Sequence, residues 1–259
     1  MVGCGYLCIR MIRYFVNIAY QGRNYHGWQI QPDAPSIQES IETALFTFLR
    51  RKTPIVGCGR TDTGVHASSY WFHFESEKPL ETGQVQFKLN NLLPHDIAVF
   101  NVQRVPSDLH ARFSAKWRTY HYFIHQKKDP FLVDRSYFFK KPLDLDAMNL
   151  AGEWLQSLDD FSSFCKAGGD QQNNLCDLTV AQWTKVGDYQ LKFEVTANRF
   201  LRNMVRALVG TFIEVGIGKI TPEELIAIAE AKDRSNAGYS VPAQGLFLAQ
   251  VDYEYKQLI

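Results

Sequence analysis

The sequence predicts an α+β protein made of two similar ferredoxin-like halves. Two observations support this. Segments rich in β-branched and aromatic residues alternate with amphipathic helical segments in the order β-α-β-β-α-β. The second half repeats that order with longer insertions, although no sequence repeat is visible. We therefore expect one continuous, mainly antiparallel sheet with helices on one face, and a functional cleft between the halves.

The first half is predicted to span residues 11–106. Residues 1–10 fit no element and are interpreted as an N-terminal tail. A capping box at Ser36 and Glu39 marks the start of the first helix, and the cations after Leu49 suit its C-terminus. The predicted elements are a strand over 13–20, a helix from the capping box to Leu49, strands over 53–56 and 68–74, a helix over 82–92 and a strand over 97–102.

The second half is predicted to span residues 107–259. Asp144 is positioned to cap one helix, and Thr221 with Pro222 and Glu224 forms a second capping box. The predicted elements are a strand over 117–125, a loop over 127–141, a helix over 145–158, a flexible loop over 165–174, strands over 178–185 and 190–196, helices over 200–215 and from Thr221 to Lys232, and a strand over 246–253.

Composition excludes several classes of protein. The formal net charge of +1 neither indicates nor excludes nucleic-acid binding. Five cysteines without a C-x-x-C pair indicate reduced thiols and a cytoplasmic protein, and the absence of a long apolar stretch predicts no membrane span. The scattered histidines and the absence of a glycine-rich phosphate loop predict no metal and no cofactor. His66 and His110 could line a site, but we expect them to bond to backbone groups.

The most informative segment is the glycine-punctuated loop from Gly57 to Ala67, which contains Asp62. A carboxylate there could simply cap a turn. It could also be a nucleophile that forms a covalent intermediate, and a nearby guanidinium would then keep it ionised. The D-T-G tripeptide at Asp62 matches aspartic proteases too, but that chemistry needs a second copy, which the chain lacks.

Two further patterns could contribute to such a site. Arg199, Arg202 and Arg206 have the spacing i, i+3, i+7, so we predict that they share one side of a helix. They are either a solvated face or a phosphate-binding edge, and Arg206 could pair with a buried anion such as Asp62. Tyr120 and Tyr122 share a strand face, where they could pack in the sheet or stack on a base.

These patterns together resemble the tRNA pseudouridine synthase I (TruA) family. The matching motifs occur in order and cover Met11 to about Tyr253. They are Gly59–Ala67, Tyr25–Gln29, Ser36–Glu39, His110–Ala115, Arg118-x-Tyr120-x-Tyr122, Asn198–Arg206, Ala231–Arg234 and Gly245–Leu248.

The resemblance implies an isomerase that converts uridine to pseudouridine at positions 38, 39 and 40 of tRNA, without a cofactor or a metal. Asp62 would be the nucleophile, acting on a nucleotide flipped out of the stem. Arg60 would assist flipping, Tyr120 would stack on the uracil, Arg206 would pair with Asp62, and Leu246 would form a pocket wall.

The resemblance also implies a homodimer that binds tRNA. Four arginines are our candidates for contacts to the RNA backbone: Arg23, Arg112, Arg199 and Arg202. The alternative from another functional class is a non-catalytic RNA-binding module, because ferredoxin-like sheets with aromatic side chains also bind RNA.

Overall fold

The computed structural model describes residues 11–166, 168 and 173–255 of the chain. This part contains five α-helices and nine strands. In the first half they are β1 (Ile12–Tyr20), α1 (Ile37–Leu49), β2 (Val56–Gly57), β3 (His66–Ser76), α2 (Thr82–Leu92) and β4 (Ile97–Val105). In the second half they are β5 (Ala115–His125), β6 (Tyr137–Phe138), α3 (Leu145–Leu155), β7 (Leu178–Val186), β8 (Gln190–Ala197), α4 (Met204–Gly216), α5 (Pro222–Glu230) and β9 (Leu246–Tyr253).

All nine strands belong to one sheet, in the order β4-β1-β3-β9-β5-β8-β7, with β2 paired to β3 and β6 paired to β5. The predicted α+β fold with a continuous, mainly antiparallel sheet is therefore confirmed. The strand orders β4-β1-β3-β2 and β9-β5-β8-β7 are equivalent. These two sets join where His66 and Ala67 of β3 pair in parallel with Phe247 and Leu248 of β9.

The hydrophobic core is divided into two clusters. One contains the buried faces of α1 and α2 with β1, β3 and β4. The other contains α3, α4 and α5 with β5, β7 and β8. Tyr120 packs against both clusters, and Val65 from the first half is buried in the second cluster. The junction between the two strand sets is thus the place where side chains from both sequence halves meet.

The predicted caps explain where several helices begin. The Ser36 hydroxyl accepts a hydrogen bond from the Glu39 backbone N–H at 3.2 Å. Asp144 caps α3 through the N–H of Ala147 at 3.0 Å. Thr221 and Glu224 form a complete capping box at the start of α5. Each cap satisfies backbone donors that the first helical turn leaves without a partner.

Two predicted boundaries were wrong in ways that affect the site. The helix α4 begins at Met204 rather than Phe200, because Asn203 has a left-handed backbone (φ 65°) that cannot continue a helix. Arg199 and Arg202 therefore precede the helix, and the prediction that they share a helical side with Arg206 was wrong. The predicted strand over 53–56 is reduced to Val56–Gly57, since the Ile55 N–H bonds to the Glu42 carboxylate of α1 instead.

Smaller differences concern α3, which ends at Leu155 rather than Leu158, and the predicted loop over 127–141, which contains the short strand β6. The predicted tail over 1–10 lies outside the described residues, as does most of the loop predicted over 165–174. Within the described part, no helix is long and apolar enough to span a membrane.

Candidate active site

The loop between β2 and β3 holds the Asp62 side chain at the junction of the two strand sets. The Val65 N–H donates to the Asp62 carbonyl oxygen at 3.1 Å, which closes a tight turn, and Gly64 has a φ of 78° that favours glycine. The Asp62 side chain is partly exposed. Among the described residues, none forms a hydrogen bond or an ion pair with its carboxylate. The carboxylate is therefore free to meet a ligand.

Buried aromatic residues of the first half form hydrogen bonds with this loop and fix its position. The Tyr20 hydroxyl shares a hydrogen bond with the Thr61 hydroxyl at 2.8 Å, and the Tyr70 hydroxyl donates to the Gly59 carbonyl at 2.5 Å. The Trp28 ring stacks on Tyr70 with 4.0 Å between ring centroids. Both hydrogen bonds act within three residues of Asp62, so they fix the backbone that carries it.

Two glycines in the segment after β1 allow it to pack directly against the loop. A Cβ atom at Gly27 would lie 2.4 Å from the Thr61 carbonyl oxygen, and one at Gly22 would lie 1.9 Å from the Val65 carbonyl oxygen. Real Cβ atoms do not approach this closely, so only glycine fits at either position. This contact gives a physical reason for the Tyr25–Gln29 motif.

Cys58, in the same loop, is a poor candidate for the nucleophile because it is buried. Its thiol is only 2% exposed, and burial raises its pKa to about 11. A neutral, inaccessible thiol is a poor nucleophile at neutral pH. Asp62 is therefore the better candidate of the two.

Tyr120 lies on β5 at the junction of the two strand sets. The ring packs edge-on against Phe200 at 5.0 Å between centroids, and no described residue forms a hydrogen bond with the Tyr120 hydroxyl. Burial raises the Tyr120 pKa, so the phenol is neutral. Tyr120 pairs with Leu248 of β9, and Leu248 pairs with Ala67 at the end of the Asp62 loop, so one strand separates Tyr120 from the end of that loop.

Tyr122 differs from Tyr120 although it shares the same strand. It is fully buried, and its hydroxyl donates to the Pro242 carbonyl at 2.8 Å. Leu246, opposite Tyr122 in the sheet, is 6% exposed and belongs to the second core cluster. Tyr122 therefore has a structural role, while Tyr120 keeps an unbonded hydroxyl and a half-buried ring that packs against both core clusters.

Arg206 lies in the first turn of α4 and reaches the segment that precedes β9. Its Nε donates to the Val241 carbonyl at 2.6 Å, and the Val241 N–H returns a hydrogen bond to the Arg206 carbonyl at 3.2 Å. This segment borders the loop of Asp62, since a Cβ atom at Gly64 would lie 3.3 Å from that of Ala243. Within the described residues, no ion pair within 4.0 Å joins Arg206 to Asp62.

The other arginines have different surroundings. Arg60 is exposed, and no described residue bonds to its guanidinium. Arg23 forms an ion pair with Asp134. Arg199 donates to the Asn173 side chain at 3.2 Å. Arg202 is exposed, which leaves its guanidinium accessible to a ligand. The predicted roles of these side chains remain predictions.

The two histidines expected to bond to backbone do so. The buried His66 accepts the Gly22 N–H at 3.1 Å and stacks on Phe247 at 4.6 Å. His110 Nδ1 accepts the backbone N–H groups of Arg112 and Phe113 at 3.1 and 3.2 Å. In the described part of the chain, no group of three or more His, Cys, Asp or Glu residues could hold a metal ion.

Sequence reasoning did not single out the residues that support the loop. Tyr20 and Tyr70 have only the composition of ordinary strands, and their partners Thr61 and Gly59 are not in those strands. Arg118 matched a motif, but its contacts were not foreseen. Its Nη1 donates to the Asn198 carbonyl at 2.7 Å, and its Nη2 to the Arg112 carbonyl at 2.9 Å.

Comparison with known proteins gives a consistent result. The sequence model of the family described as tRNA pseudouridine synthase matches residues 157–254. The chain is 49% identical to tRNA pseudouridine synthase A of Bacteroides fragilis over 93% of this chain and 96% of that protein. It is 49% identical to the Bacteroides thetaiotaomicron protein of the same name, covering 94% and 91%, and 38% identical to that of Bacillus subtilis, covering 92% and 97%.

Identities at this level over nearly the full length of both chains exceed what a shared fold alone produces. The chain belongs to the tRNA pseudouridine synthase family.

Proposed function

We propose that this protein isomerises uridine to pseudouridine in tRNA, at positions 38, 39 and 40 of the anticodon stem-loop. The observation that carries the proposal is the Asp62 carboxylate, which is partly exposed, free of described partners and held in a loop at the junction of the two strand sets. The relatives that carry the name tRNA pseudouridine synthase A support the substrate class.

In this proposal Asp62 is the nucleophile. Its carboxylate attacks ribose C1′ and displaces N1 of the uracil, or it acts while a glycal forms at that carbon. The detached uracil turns, its C5 bonds to C1′, the carboxylate is released, and the proton lost from C5 is balanced by one gained at N1. Substrate and product are isomers, so no co-reactant is needed. A carboxylate can perform this covalent step because it is compact and ionised at neutral pH.

The surrounding side chains supply position and charge. Tyr120 stacks on the target uracil, and Leu246 closes the pocket on its apolar side. The Nη atoms of Arg206 have no described partner, while its Nε is anchored on Val241. Arg206 is therefore available to pair with Asp62 when RNA excludes water. Arg60, exposed and unpaired among the described residues, occupies the space left by the flipped nucleotide.

The tRNA is held largely through its backbone. Arg112, Arg199 and Arg202 are proposed to contact phosphates, and Arg23 would do so by exchanging its partner Asp134 for RNA. We also propose that the protein is a cytoplasmic homodimer, and that residues 11–106 and 107–259 are its two domains with the active-site cleft between them.

The proposal is tested by incubating the protein with an unmodified tRNA transcript and mapping pseudouridine. We expect product at positions 38 to 40 and at no other uridine. The alternative, a non-catalytic RNA-binding module, predicts binding without any pseudouridine. A carboxylate aimed at a polyanion argues against that alternative, because it would repel phosphates and weaken binding without serving any purpose.

A further inference from the structure

The loop between β4 and β5 presents an exposed aromatic ring that is held in place. Phe113 is 77% exposed. Its ring stacks on the His110 imidazole with 4.4 Å between centroids and 29° between planes. His110 in turn accepts the N–H groups of Arg112 and Phe113, so the backbone around the ring is fixed. An aromatic ring that is both rigid and exposed loses little conformational entropy when a flat ligand stacks on it.

The ring is accompanied by a positive charge. The Arg112 guanidinium carbon lies 5.5 Å from the centroid of the Phe113 ring, within the range of a cation–π contact. Arg112 is exposed, and its guanidinium has no hydrogen bond or ion pair with any residue that the structure describes. The guanidinium lies over the ring and is bonded to no described residue, so it can move from the ring to a phosphate when a base stacks there. An exposed aromatic ring with such an uncompensated cation is complementary to a nucleobase with its phosphate.

This surface lies next to the loop of Asp62. The half-buried Arg118 donates from one nitrogen, Nη2, to the Arg112 carbonyl at 2.9 Å and to the Cys58 carbonyl at 3.4 Å. The backbones of the two loops are therefore side by side. Arg60 follows Cys58 by two residues, is exposed, and is likewise without a described partner. Each of the two neighbouring loops thus carries an exposed arginine.

We propose that Phe113 is the stacking platform for an unpaired nucleobase of the bound RNA, close to the nucleotide that is flipped toward Asp62. The inference rests on the proposed function in one respect, that the ligand is RNA. Base stacking on an aromatic ring is independent of sequence, because every base has a π face. Such a platform therefore suits an enzyme that acts at several adjacent positions.

The test measures the affinity of an unmodified tRNA transcript for four variants. Phe113→Ala and Phe113→Leu should each weaken binding about tenfold, within the range for loss of one stacked base. Phe113→Trp should bind as the unchanged protein does. The control is Phe87→Ala, which truncates a 62% exposed phenylalanine on α2. The helix α2 packs against the edge strand β4, and this variant should have no effect on tRNA affinity.

The contribution of the Arg112 charge to tRNA binding is tested separately. Arg112→Ala should reduce the slope of log affinity against log salt by about one, while Phe113→Ala should leave that slope unchanged. If Phe113→Leu binds tRNA as well as the unchanged protein does, the ring contributes apolar area rather than stacking, and the inference is wrong. The inference is also wrong if Phe113→Ala changes the oligomeric state in light scattering, since the ring would then contact a second copy of the chain.

These outcomes are distinct from failure of the proposed function. If the unchanged protein makes no pseudouridine but still binds tRNA through the Phe113 ring, the proposed reaction fails and the stacking platform stands. If pseudouridine forms normally and Phe113→Ala binds tRNA as tightly as the unchanged protein, only the stacking platform is overturned. Circular dichroism of each variant ensures that folded proteins are compared.

Discussion

The connection between β2 and β3 in the first strand set is equivalent to the connection between β7 and β8 in the second, but the two have different structures. In the second set, the strands β7 and β8 pair along most of their length and are joined by a tight turn at Gly187. In the first set, the equivalent strand β2 has only two residues, and the connection to β3 becomes the loop of Asp62. Shortening one strand releases backbone that would otherwise be used in the sheet. The difference shows how a repeated topology can provide a regular hairpin in one half and the loop of the candidate nucleophile in the other.

The loop is nevertheless not flexible. Tyr20, Tyr70 and Trp28 hold it from the first half, and Ala243 borders it from the second. The turn at Gly187 has no comparable surroundings, since an added Cβ atom would meet nothing within 4 Å. A reactive loop needs such support because a misplacement of about 1 Å can cost a hundredfold in rate.

Loss of the Arg206 charge should have the largest effect on activity among the supporting residues. We expect Arg206→Met to lower kcat by about 10²–10³-fold, as for removal of one preorganised charge stabiliser. Single-turnover kinetics with a tRNA transcript measure the rate, and a normal rate would contradict the proposed ion pair.

The two turn glycines provide a matched test of the comparison. Gly64 and Gly187 have similar positive φ values of 78° and 69°. We expect either glycine-to-alanine substitution to cost about 1–2 kcal/mol in the free energy of unfolding. Gly64→Ala should also lower kcat about a hundredfold, because the new methyl group is pressed against Ala243. Gly187→Ala should leave kcat unchanged.

Equal effects of these two substitutions on kcat would show that the Asp62 loop has no special positional requirement. Chemical denaturation gives the unfolding free energies, and single-turnover kinetics with a tRNA transcript give the rates.

A smaller effect is expected when one support beneath the loop is removed. Tyr70→Phe deletes the hydrogen bond to the Gly59 carbonyl and should cost about 1–2 kcal/mol in stability. If Tyr70 positions the loop, kcat should fall several-fold while KM for tRNA stays constant. The control is Tyr14→Phe, which deletes a buried hydroxyl that bonds to the backbone of Leu80. Its stability cost should be similar and its kcat unchanged, so equal kcat values for both variants would rule out the positioning role.

The smallest effect is expected on tRNA affinity when the Tyr120 hydroxyl is removed. Tyr120→Phe keeps the ring and removes a hydroxyl that has no described partner, so tRNA affinity should stay within about twofold. Tyr120→Ala should weaken affinity about tenfold. Fluorescence titration with a labelled transcript measures both. A large loss of affinity in Tyr120→Phe would mean that the hydroxyl, rather than the ring, contacts the RNA.

Local signals predicted most of the fold. Capping boxes placed the starts of α1 and α5, and segments rich in β-branched and aromatic residues placed β7 and β8. The start of α4 was missed because a left-handed Asn203 has no signature in the sequence. The strand before the Asp62 loop was misplaced because the Ile55 N–H bonds to Glu42, a contact between separate elements.

Local sequence signals also predicted part of the candidate site. Asp62 is recognisable as a candidate because glycines surround it in sequence. The aromatic strand indicated Tyr120 and Tyr122 alike, and only the family resemblance singled out Tyr120. The supports of the loop act over long separations, as with Tyr20 on Thr61, and periodicity cannot reveal such pairs. The proposed stacking role of Phe113 was also not recognised, because exposure and the contact with His110 are properties of the folded loop.

The central claim is that the Asp62 carboxylate carries out the reaction, and Asp62→Asn tests it most directly. The substitution keeps the size and shape of the side chain and removes its charge. The account predicts that this variant binds an unmodified tRNA transcript with at least the affinity of the unchanged protein. It also predicts a pseudouridine rate at least about 10⁴-fold lower in single-turnover assays. Conversion of uridine at a comparable rate by Asp62→Asn would contradict the account.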